Sequence, residues 1–577
     1  MASSSGNTNQ PTRTIQECQE IMSRPGSMYE TESRVIDGQV YRVYKNIPDS
    51  IRDVWKNSSA KFSDRKYIYY QGKYLTYGET NAKVVSFANA LKEKYGIVKG
   101  DRVAIIMRNL PEFIISFWAI ESIGAISVAV NAWLPEEPMT FCITNTASKV
   151  AIVDPERHER LQATLPKIKE AGLVDLVLAK PENEKTYENC TLFDDIITQY
   201  SAHTQMPQVE ILPEDDATIF FTSGTTSLPK GVLTTNRQYV SNLPNVTLAA
   251  HRNILRMGGE IPTPSPDDPP KACLMTVPLF HVTGNQSFLL MHTSAGNRLI
   301  LMRKWDVKEA VQLIKEERVT SAGGVPSMVS EIVASDLGND PNCSLEAFSF
   351  GGAPAPETLA LNAIKKFDKA IPTQAYGLTE TNSVAISIAG HDYVRKPDST
   401  GIPTPINDIM IVDPCTEREV PCGEVGELYC RGINVAKCYY SNPEATRCAF
   451  TNDHWFRTGD LACTDAEGFV YIKDRAKDMI IRGLASVVVE NAFYQDCRVS
   501  DCAVVPLKHE LLGEEVGAFV TIKPEFRGRV SECDLQCAVG KRLAKHQIPV
   551  CIEIRYDPIP RSATGKIVKK ELRRELK

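Results

Sequence analysis

The run Ala217-Thr218-Ile219-Phe220 opens into Phe221-Thr222-Ser223-Gly224-Thr225-Thr226-Ser227-Leu228-Pro229-Lys230-Gly231, a strand pattern followed by a loop of hydroxyls, glycine and one lysine. Such a composition suits a phosphate. Small residues let backbone N–H groups close on an anion, the hydroxyls of Thr222, Ser223, Thr225 and Thr226 add donors beside Gly224, and Lys230 brings a mobile positive charge. The spacing is not that of the Walker loop, which needs Gly-x-x-x-x-Gly-Lys-Ser/Thr at the start of a helix. Taken alone, the stretch is equally a polar surface connection.

At 577 residues the chain exceeds one ordinary core, and length alone leads to an expectation of about two to four domains. A content of 43% hydrophobic and 24% charged residues is that of a soluble globular protein. The net charge of −6, from 65 basic and 71 acidic side chains, argues against general nucleic-acid binding, which needs a basic surface. No apolar run reaches the length of a membrane span. Residues Met1 to Gln10 lack the apolar core of a secretory signal and read as a disordered tail, and Glu575-Leu576-Lys577 does not form the peroxisomal address. The 16 cysteines show no Cys-x-x-Cys units or nearby His pairs, which argues against zinc and leads to an expectation of reduced thiols in the cytoplasm. Cys533 and Cys537, four apart on a helical stretch, read as small apolar residues. Nothing in the sequence specifies an oligomeric state.

Ala82 to Lys94 has helical periodicity, Gly100 to Ile106 reads as a turn and a buried strand, Pro111 to Ser122 as a helix, and Val150 to Asp154 as a short strand. Strand–helix–strand alternation predicts an α/β fold with a mainly parallel sheet. The Pro-rich stretch from Gly258 to Pro270 reads as a surface loop without an assigned role. Cys273 to Val277 is a strand that ends in Pro278-Leu279-Phe280-His281, with a helix from about Thr283 carrying Asn285 and Gln286 in its first turn. Phe348-Ser349-Phe350-Gly351-Gly352-Ala353-Pro354 is a glycine-bearing turn that allows a planar base to approach the backbone. Tyr376-Gly377-Leu378-Thr379-Glu380-Thr381 follows; as a bare pattern it is also a helix start that Thr379 and Glu380 would cap. Met410 to Pro414 and Gly426 to Cys430 read as hairpin strands. Trp455-Phe456-Arg457-Thr458-Gly459-Asp460, Tyr471 to Asp478, and Pro560-Arg561-Ser562-Ala563-Thr564-Gly565-Lys566-Ile567 complete the series.

In this order and spacing, the motifs from about Tyr41 to Ile567 resemble those of the adenylate-forming superfamily, which includes acyl-CoA synthetases, luciferases and the adenylation domains of peptide synthetases. The resemblance implies a large N-terminal domain of two stacked α/β subdomains plus a β-barrel-like subdomain, and a small mobile α+β C-terminal domain. The boundaries expected are 1–40 for a tail and lead-in, 41–475 for the large domain and 476–577 for the small one. It implies that Thr222, Ser223, Gly224, Thr225, Thr226 and Lys230 hold the ATP phosphates and that Gly351, Gly352 and Ala353 flank adenine. Tyr376 stacks on the base with Gly377 beside it, Thr379 meets the α-phosphate, and Glu380 binds Mg²⁺. Asp460 and Arg475 would bind ribose, Lys477 would be the hinge, and Lys566 would steady the charge that develops during adenylation. His281 would stand at the mouth of the carboxylate pocket, whose walls are expected near Asn285, Gly323, Gly324 and Gly351 and suit a short or moderately polar acid.

The activity implied is ATP-dependent, AMP-forming activation of a small carboxylic acid, with CoA as the acceptor by resemblance. One departure keeps a second reading open. After Ile480-Ile481-Arg482-Gly483 the chain lacks a second glycine and about three residues before Glu490-Asn491-Ala492-Phe493-Tyr494, taken as a helix start. In CoA ligases of this superfamily that loop lines the tunnel for the pantetheine arm. An amine, a carrier thiol or another small nucleophile is therefore an alternative acceptor. A non-catalytic nucleotide-binding relative is a third reading, opposed by the presence of Thr379, Glu380, Asp460, Arg475 and Lys566 together.

Overall fold

The computed structural model describes residues 10–182, 185–222, 228–263, 265, 267–353, 355–475, 486–509, 513–543, 547–562 and 565–576. Two mixed sheets dominate the large N-terminal domain. The first runs, from edge to edge, Cys438–Tyr439, Lys230–Thr235, Asp216–Thr222, Ile126–Ala129, Arg102–Ile106, Val150–Val153, Asp175–Leu178 and Thr191–Leu192. The second runs Ile402–Pro403, Ile386–Ala389, Ile371–Tyr376, Ala347–Gly351, Ser321–Gly324, Ala272–Met275, Arg298–Leu301, Lys66–Tyr70 and Lys73–Thr76. Their centres are parallel; antiparallel strands sit at both ends of the second sheet and at the Cys438–Tyr439 end of the first, whose other edge, Thr191–Leu192, is parallel. Buried strands of this kind need helices on their faces.

One of those helices, Pro111–Ser122, starts with proline at its first turn, where the missing N–H costs nothing, and is buried from Phe113 onward. It packs in a core that takes Ile105 and Val150 from the first sheet and Met275 and Leu299 from the second. The two sheets thus share one apolar interior. Trp118 stacks on Trp55 with ring centroids 5.3 Å apart, and Tyr67 on Tyr77 at 4.1 Å. The neighbouring helix, Tyr77–Glu93, begins a turn earlier than its apolar period indicates. Thr76 and Glu79 form a capping box that fixes its start. Similarly, Asp154 leaves the strand Val150–Val153 because its carboxylate caps the helix Pro155–Leu161.

A four-stranded antiparallel sheet follows: Asn407–Val412, Gly426–Gly432, Phe456–Thr464 and Val470–Arg475, with register shifts between Glu427 and Tyr429 and between Leu461 and Ala462. Such shifts bend a sheet, which fits the barrel-like expectation. The small C-terminal domain pairs Val499–His509 with Gly513–Ile522 antiparallel and adds Cys551–Arg555 parallel. Helices Ser486–Tyr494, Glu532–Gly540 and Lys569–Glu575 accompany them.

Several details differ from the sequence-based expectations. The helix after the hinge segment is already running at Ser486, so Glu490 lies in its middle rather than at its start. There Glu490 accepts the Val504 N–H at 2.9 Å and pairs with Lys569 at 2.8 Å. Cys533 and Cys537 are exposed, because Leu535 and Val539 supply the buried side of their helix. The lead-in before residue 41 is structured: helix Ile15–Met22 and the hairpin Thr31–Ile36/Gln39–Tyr44 pack on helix Asn242–Arg256, with the Tyr29 hydroxyl 2.7 Å from His251 Nδ1. Residues 1–9 of the tail expected over Met1 to Gln10, the hinge Lys477 and the shortened loop at 480–485 lie outside the described residues.

Candidate active site

Thr222 and Lys230 stand opposite each other at the loop end of an antiparallel hairpin. Ser223, Gly224, Thr225 and Thr226 lie outside the described residues. A hairpin, unlike a strand-to-helix turn, brings the lysine back beside the first hydroxyl. Lys230 Nζ sits 4.8 Å from the centroid of the Tyr439 ring, in cation–π range. Tyr439 reaches this position because its short strand pairs with Val232. Its hydroxyl donates to Glu380 Oε1 at 2.6 Å. Burial, and then the Glu380 charge, hold that hydroxyl protonated far above the ordinary tyrosine range.

Thr379–Thr381 form a single tight turn. Thr381 does the capping, accepting the Leu378 N–H at 2.8 Å. The Glu380 carboxylate therefore faces Tyr439 and the cleft instead of the backbone. The chain then passes through left-handed Asn382 (φ +50°) and Ser383 (φ +78°), conformations that cost about 1 kcal/mol or more each for such residues. Side-chain bonds hold them: Gln286 Nε2 donates to Asn382 Oδ1 at 2.7 Å, and Asn382 Nδ2 to the Asn434 carbonyl at 2.8 Å. Gly377 is required because a Cβ there would lie 1.4 Å from the Ser383 carbonyl oxygen.

On the nucleotide side, Gly351, Gly352 and Ala353 line the cleft, and a Cβ on Gly351 would lie 2.4 Å from the Ala375 carbonyl oxygen. The Tyr376 hydroxyl donates to Asp460 Oδ2 at 2.7 Å, and burial with that carboxylate nearby drives its pKa well up. Asp460 itself is buried on the bulged strand, with Arg475 opposite it across the ladder; only the backbone of Arg475 is described. The tyrosine expected as a stacking platform is thus locked in place by the carboxylate expected at ribose.

The C-terminal domain enters the same cleft. Gly565 has φ +77°, and a Cβ on it would lie 2.5 Å from Val325 Cγ2, so its turn seats directly on the large domain. The next residue, Lys566, brings Cε to 3.9 Å from the Cβ position of Gly352. Burial, reinforced by the Lys566 charge, lowers the His281 pKa to about 3. His281 is therefore neutral near pH 7, and its Nδ1 accepts the Thr283 N–H at 3.3 Å, which leaves the proton on Nε2.

Thr222, Lys230, His281, Gly351, Gly352, Ala353, Tyr376, Gly377, Thr379, Glu380, Asp460 and Lys566 all line one cleft of about 2250 Å³. That exceeds the usual ligand pocket of roughly 300–1,000 Å³ because the cleft runs between the two domains. Asn285, Gly323 and Gly324 are not among its lining residues. Asn285 is fully buried and accepts the Tyr239 hydroxyl. Gly323 is a packing residue, since a Cβ on it would lie 2.0 Å from the Ser349 carbonyl oxygen and 2.9 Å from Phe288. Sequence reasoning missed Tyr439, Ser287 and Ser383; Ser287 and Ser383 are joined through their hydroxyls at 2.7 Å. No spacing signal marks residues that meet only through tertiary packing.

Mg²⁺ fits beside Glu380. One carboxylate oxygen is fixed by Tyr439, and Thr379, Thr222 and Lys230 line the space around it. Among the described residues no group of three or more His, Cys, Asp or Glu side chains forms a metal cage. A lone carboxylate suits an ion that takes its other ligands from phosphate and water.

Residues 55–440 match the AMP-binding enzyme family, and residues 488–566 match the AMP-binding enzyme C-terminal domain. The chain is 32% identical over 519 residues to the long-chain-fatty-acid–CoA ligase FadD13 of Mycobacterium tuberculosis, covering 87% of this chain and 93% of that one. It superposes on the anthranilate CoA ligase AuaEII in complex with anthranoyl-AMP with a TM-score of 0.79, at 22% identity, over 92% of this chain and 98% of that one. The amide bond synthetase McbA from Marinactinospora thermotolerans gives a TM-score of 0.76 at 21% identity, over 92% of this chain and all (100%) of that one. With both of its domains matched in sequence and a nucleotide cleft built between them, the chain belongs to the AMP-binding enzyme family.

Proposed function

We propose that this protein activates a small carboxylic acid as its acyl-adenylate and passes the acyl group to CoA. It is an ATP-dependent, AMP-forming carboxylate ligase. The observation that carries the reading is the Gly565-Lys566 turn seated on Val325 and Gly352, at the mouth of the cleft that holds Thr379, Glu380 and Asp460.

A substrate carboxylate oxygen attacks the α-phosphorus of ATP in line, an O–P bond forms, and the bond to the β-phosphate oxygen breaks to release pyrophosphate. Lys566 and Lys230 meet the negative charge shed and gathered by the phosphates. Neutral His281 borders the carboxylate without adding charge and leaves Lys566 as the cation there. Thr379 donates to the α-phosphate, while Asp460 accepts from the ribose hydroxyls. Mg²⁺, when bound at Glu380, neutralises phosphate charge. In the second step a nucleophile adds to the acyl carbonyl and AMP leaves, after rotation about Lys477 turns the small domain.

The relative FadD13 is named as a CoA ligase, which supports CoA as acceptor. The likeness in fold to an amide bond synthetase, with the shortened loop after Lys477, supports an amine as the second reading. No described helix is long and apolar enough to cross a membrane. All 16 cysteines are free thiols, which supports a reducing, cytoplasmic location. The test is product mass after incubation with ATP, Mg²⁺ and an acid panel in the presence of CoA, of an amine, or of neither. A thioester at many turnovers supports CoA; an amide formed while CoA is ignored transfers the assignment to an amine-accepting ligase.

A further inference from the structure

The part of the cleft beyond Gly351 has an unusual floor for an enzyme that binds acyl chains. Strands Ala347–Gly351, Ile371–Tyr376 and Ile386–Ala389 are neighbours, with Ser349 paired to Thr373, Gly351 to Ala375 and Ala375 to Ser387. Paired residues point to the same face of a sheet. Ser349, Thr373 and Ser387 therefore put three hydroxyls on one surface, and all three line the cleft. Ser387 is 2% exposed and its Oγ has no hydrogen-bond partner. The hydroxyls of Ser349 and Thr373 likewise make no hydrogen bond among the described residues. Val246 and Ser287, linked to Ser383, line the same cleft. None of these side chains is charged.

An alkyl tail laid on this floor would strip water from the half-buried Ser349 and Thr373 hydroxyls and leave that of buried Ser387 without a bond. Leaving such groups unpaired is costly, and a site built to bond a substrate hydroxyl discriminates strongly against an analogue without one. Depth adds a constraint. Ser349 and Thr373 lie two strand residues, roughly 7 Å, behind Gly351 and Ala375, and Gly351 stands at the end where His281 and Lys566 meet the carboxylate. That distance is about the span from carboxyl to hydroxyl in ω-hydroxyhexanoate or para-hydroxybenzoate.

We infer that the substrate is a carboxylic acid whose tail carries a neutral hydroxyl at this depth, bound by Ser349 and Thr373, rather than a plain fatty acid. The inference rests on the ligase reading above and adds the substrate class. The experiment uses the full chain and two matched pairs, ω-hydroxyhexanoate with hexanoate and para-hydroxybenzoate with benzoate. Acid binding is measured by calorimetry in the presence of a non-hydrolysable ATP analogue and Mg²⁺, and kcat/KM by pyrophosphate release. The hydroxylated member of at least one pair is expected to bind and react about tenfold or more better. Thr373→Val, which keeps shape, and Ser349→Ala are each expected to shrink that ratio severalfold. Equal or better use of the unsubstituted acids, or a ratio unmoved by both variants, overturns the inference while pyrophosphate release keeps the ligase reading intact. Preferential binding of the hydroxylated acids without pyrophosphate release from any acid would support the tail site and overturn the ligase reading.

Discussion

The Tyr439 hydroxyl lies 2.6 Å from Glu380 Oε1 while the same ring carries Lys230 Nζ 4.8 Å from its centroid. One side chain thus ties the lysine of the hairpin expected at phosphate to the carboxylate that fits Mg²⁺. Tyr439→Phe keeps the ring under Lys230 and removes only the hydrogen bond to Glu380. Loss of a bond to a charged acceptor costs about 1.5–3 kcal/mol, so ATP affinity in the presence of Mg²⁺ should fall by about tenfold or more. In EDTA the variant and the parent should differ little. Calorimetric titration under both conditions checks this, and an equal loss in each would assign Tyr439 to phosphate binding alone.

Asp460 meets the Tyr376 hydroxyl at 2.7 Å, so the tyrosine fixes the orientation of the carboxylate expected at ribose. Asp460→Ala should weaken ATP binding by about tenfold or more, and Tyr376→Phe by less. Unchanged nucleotide affinity in Asp460→Ala would remove that residue from the ribose role.

The seat of the small domain gives a sharper steric test. Gly565→Ala meets both a left-handed backbone, at φ +77°, and Val325 Cγ2 at 2.5 Å. It should lower pyrophosphate release by about 10²-fold, the scale for displacing one preorganised donor, with little change in the Tm of the large domain. Val325→Ala in the same chain should recover part of the rate by opening that contact.

Acid should destabilise the fold through histidines buried in neutral form. His292 is 3% exposed, its Nε2 has no partner, and burial lowers its pKa from 6.5 to about 3. The unfolded chain takes up a proton as pH drops through 6.5, whereas the folded chain does not until about pH 3. Its contribution is therefore constant above pH 6.5 and becomes increasingly unfavourable to the fold between pH 6.5 and 3. At pH 5 the loss is about 2 kcal/mol. Tm measured from pH 7.5 down to pH 5 should fall less steeply in His292→Asn than in the parent.

The α/β alternation, the strand and polar loop leading to Lys230, the turn at Thr379-Glu380 and the Gly565-Lys566 turn were legible because each is a local pattern of residue types. Boundaries moved where a side chain capped an element, as at Thr76 and Asp154. The acid pocket was the least legible part. Asn285 sits in a polar first turn that resembles a pocket wall, yet tertiary packing aims it at Tyr239. Ser349, Thr373 and Ser387 are unremarkable alternating strand residues until three neighbouring strands bring them to one face. Tyr439 comes to Glu380 from a distant edge strand, which no local spacing encodes.

The most direct test of the account is pyrophosphate release by Lys566→Ala, measured with ATP, Mg²⁺ and the acid the parent enzyme uses best, alongside Tm. The account predicts a loss of about 10²–10³ in the rate of adenylation, with Tm nearly unchanged because Lys566 reaches into the cleft rather than into a core. A rate close to the parent's, or a rate lost only together with the fold, would contradict it.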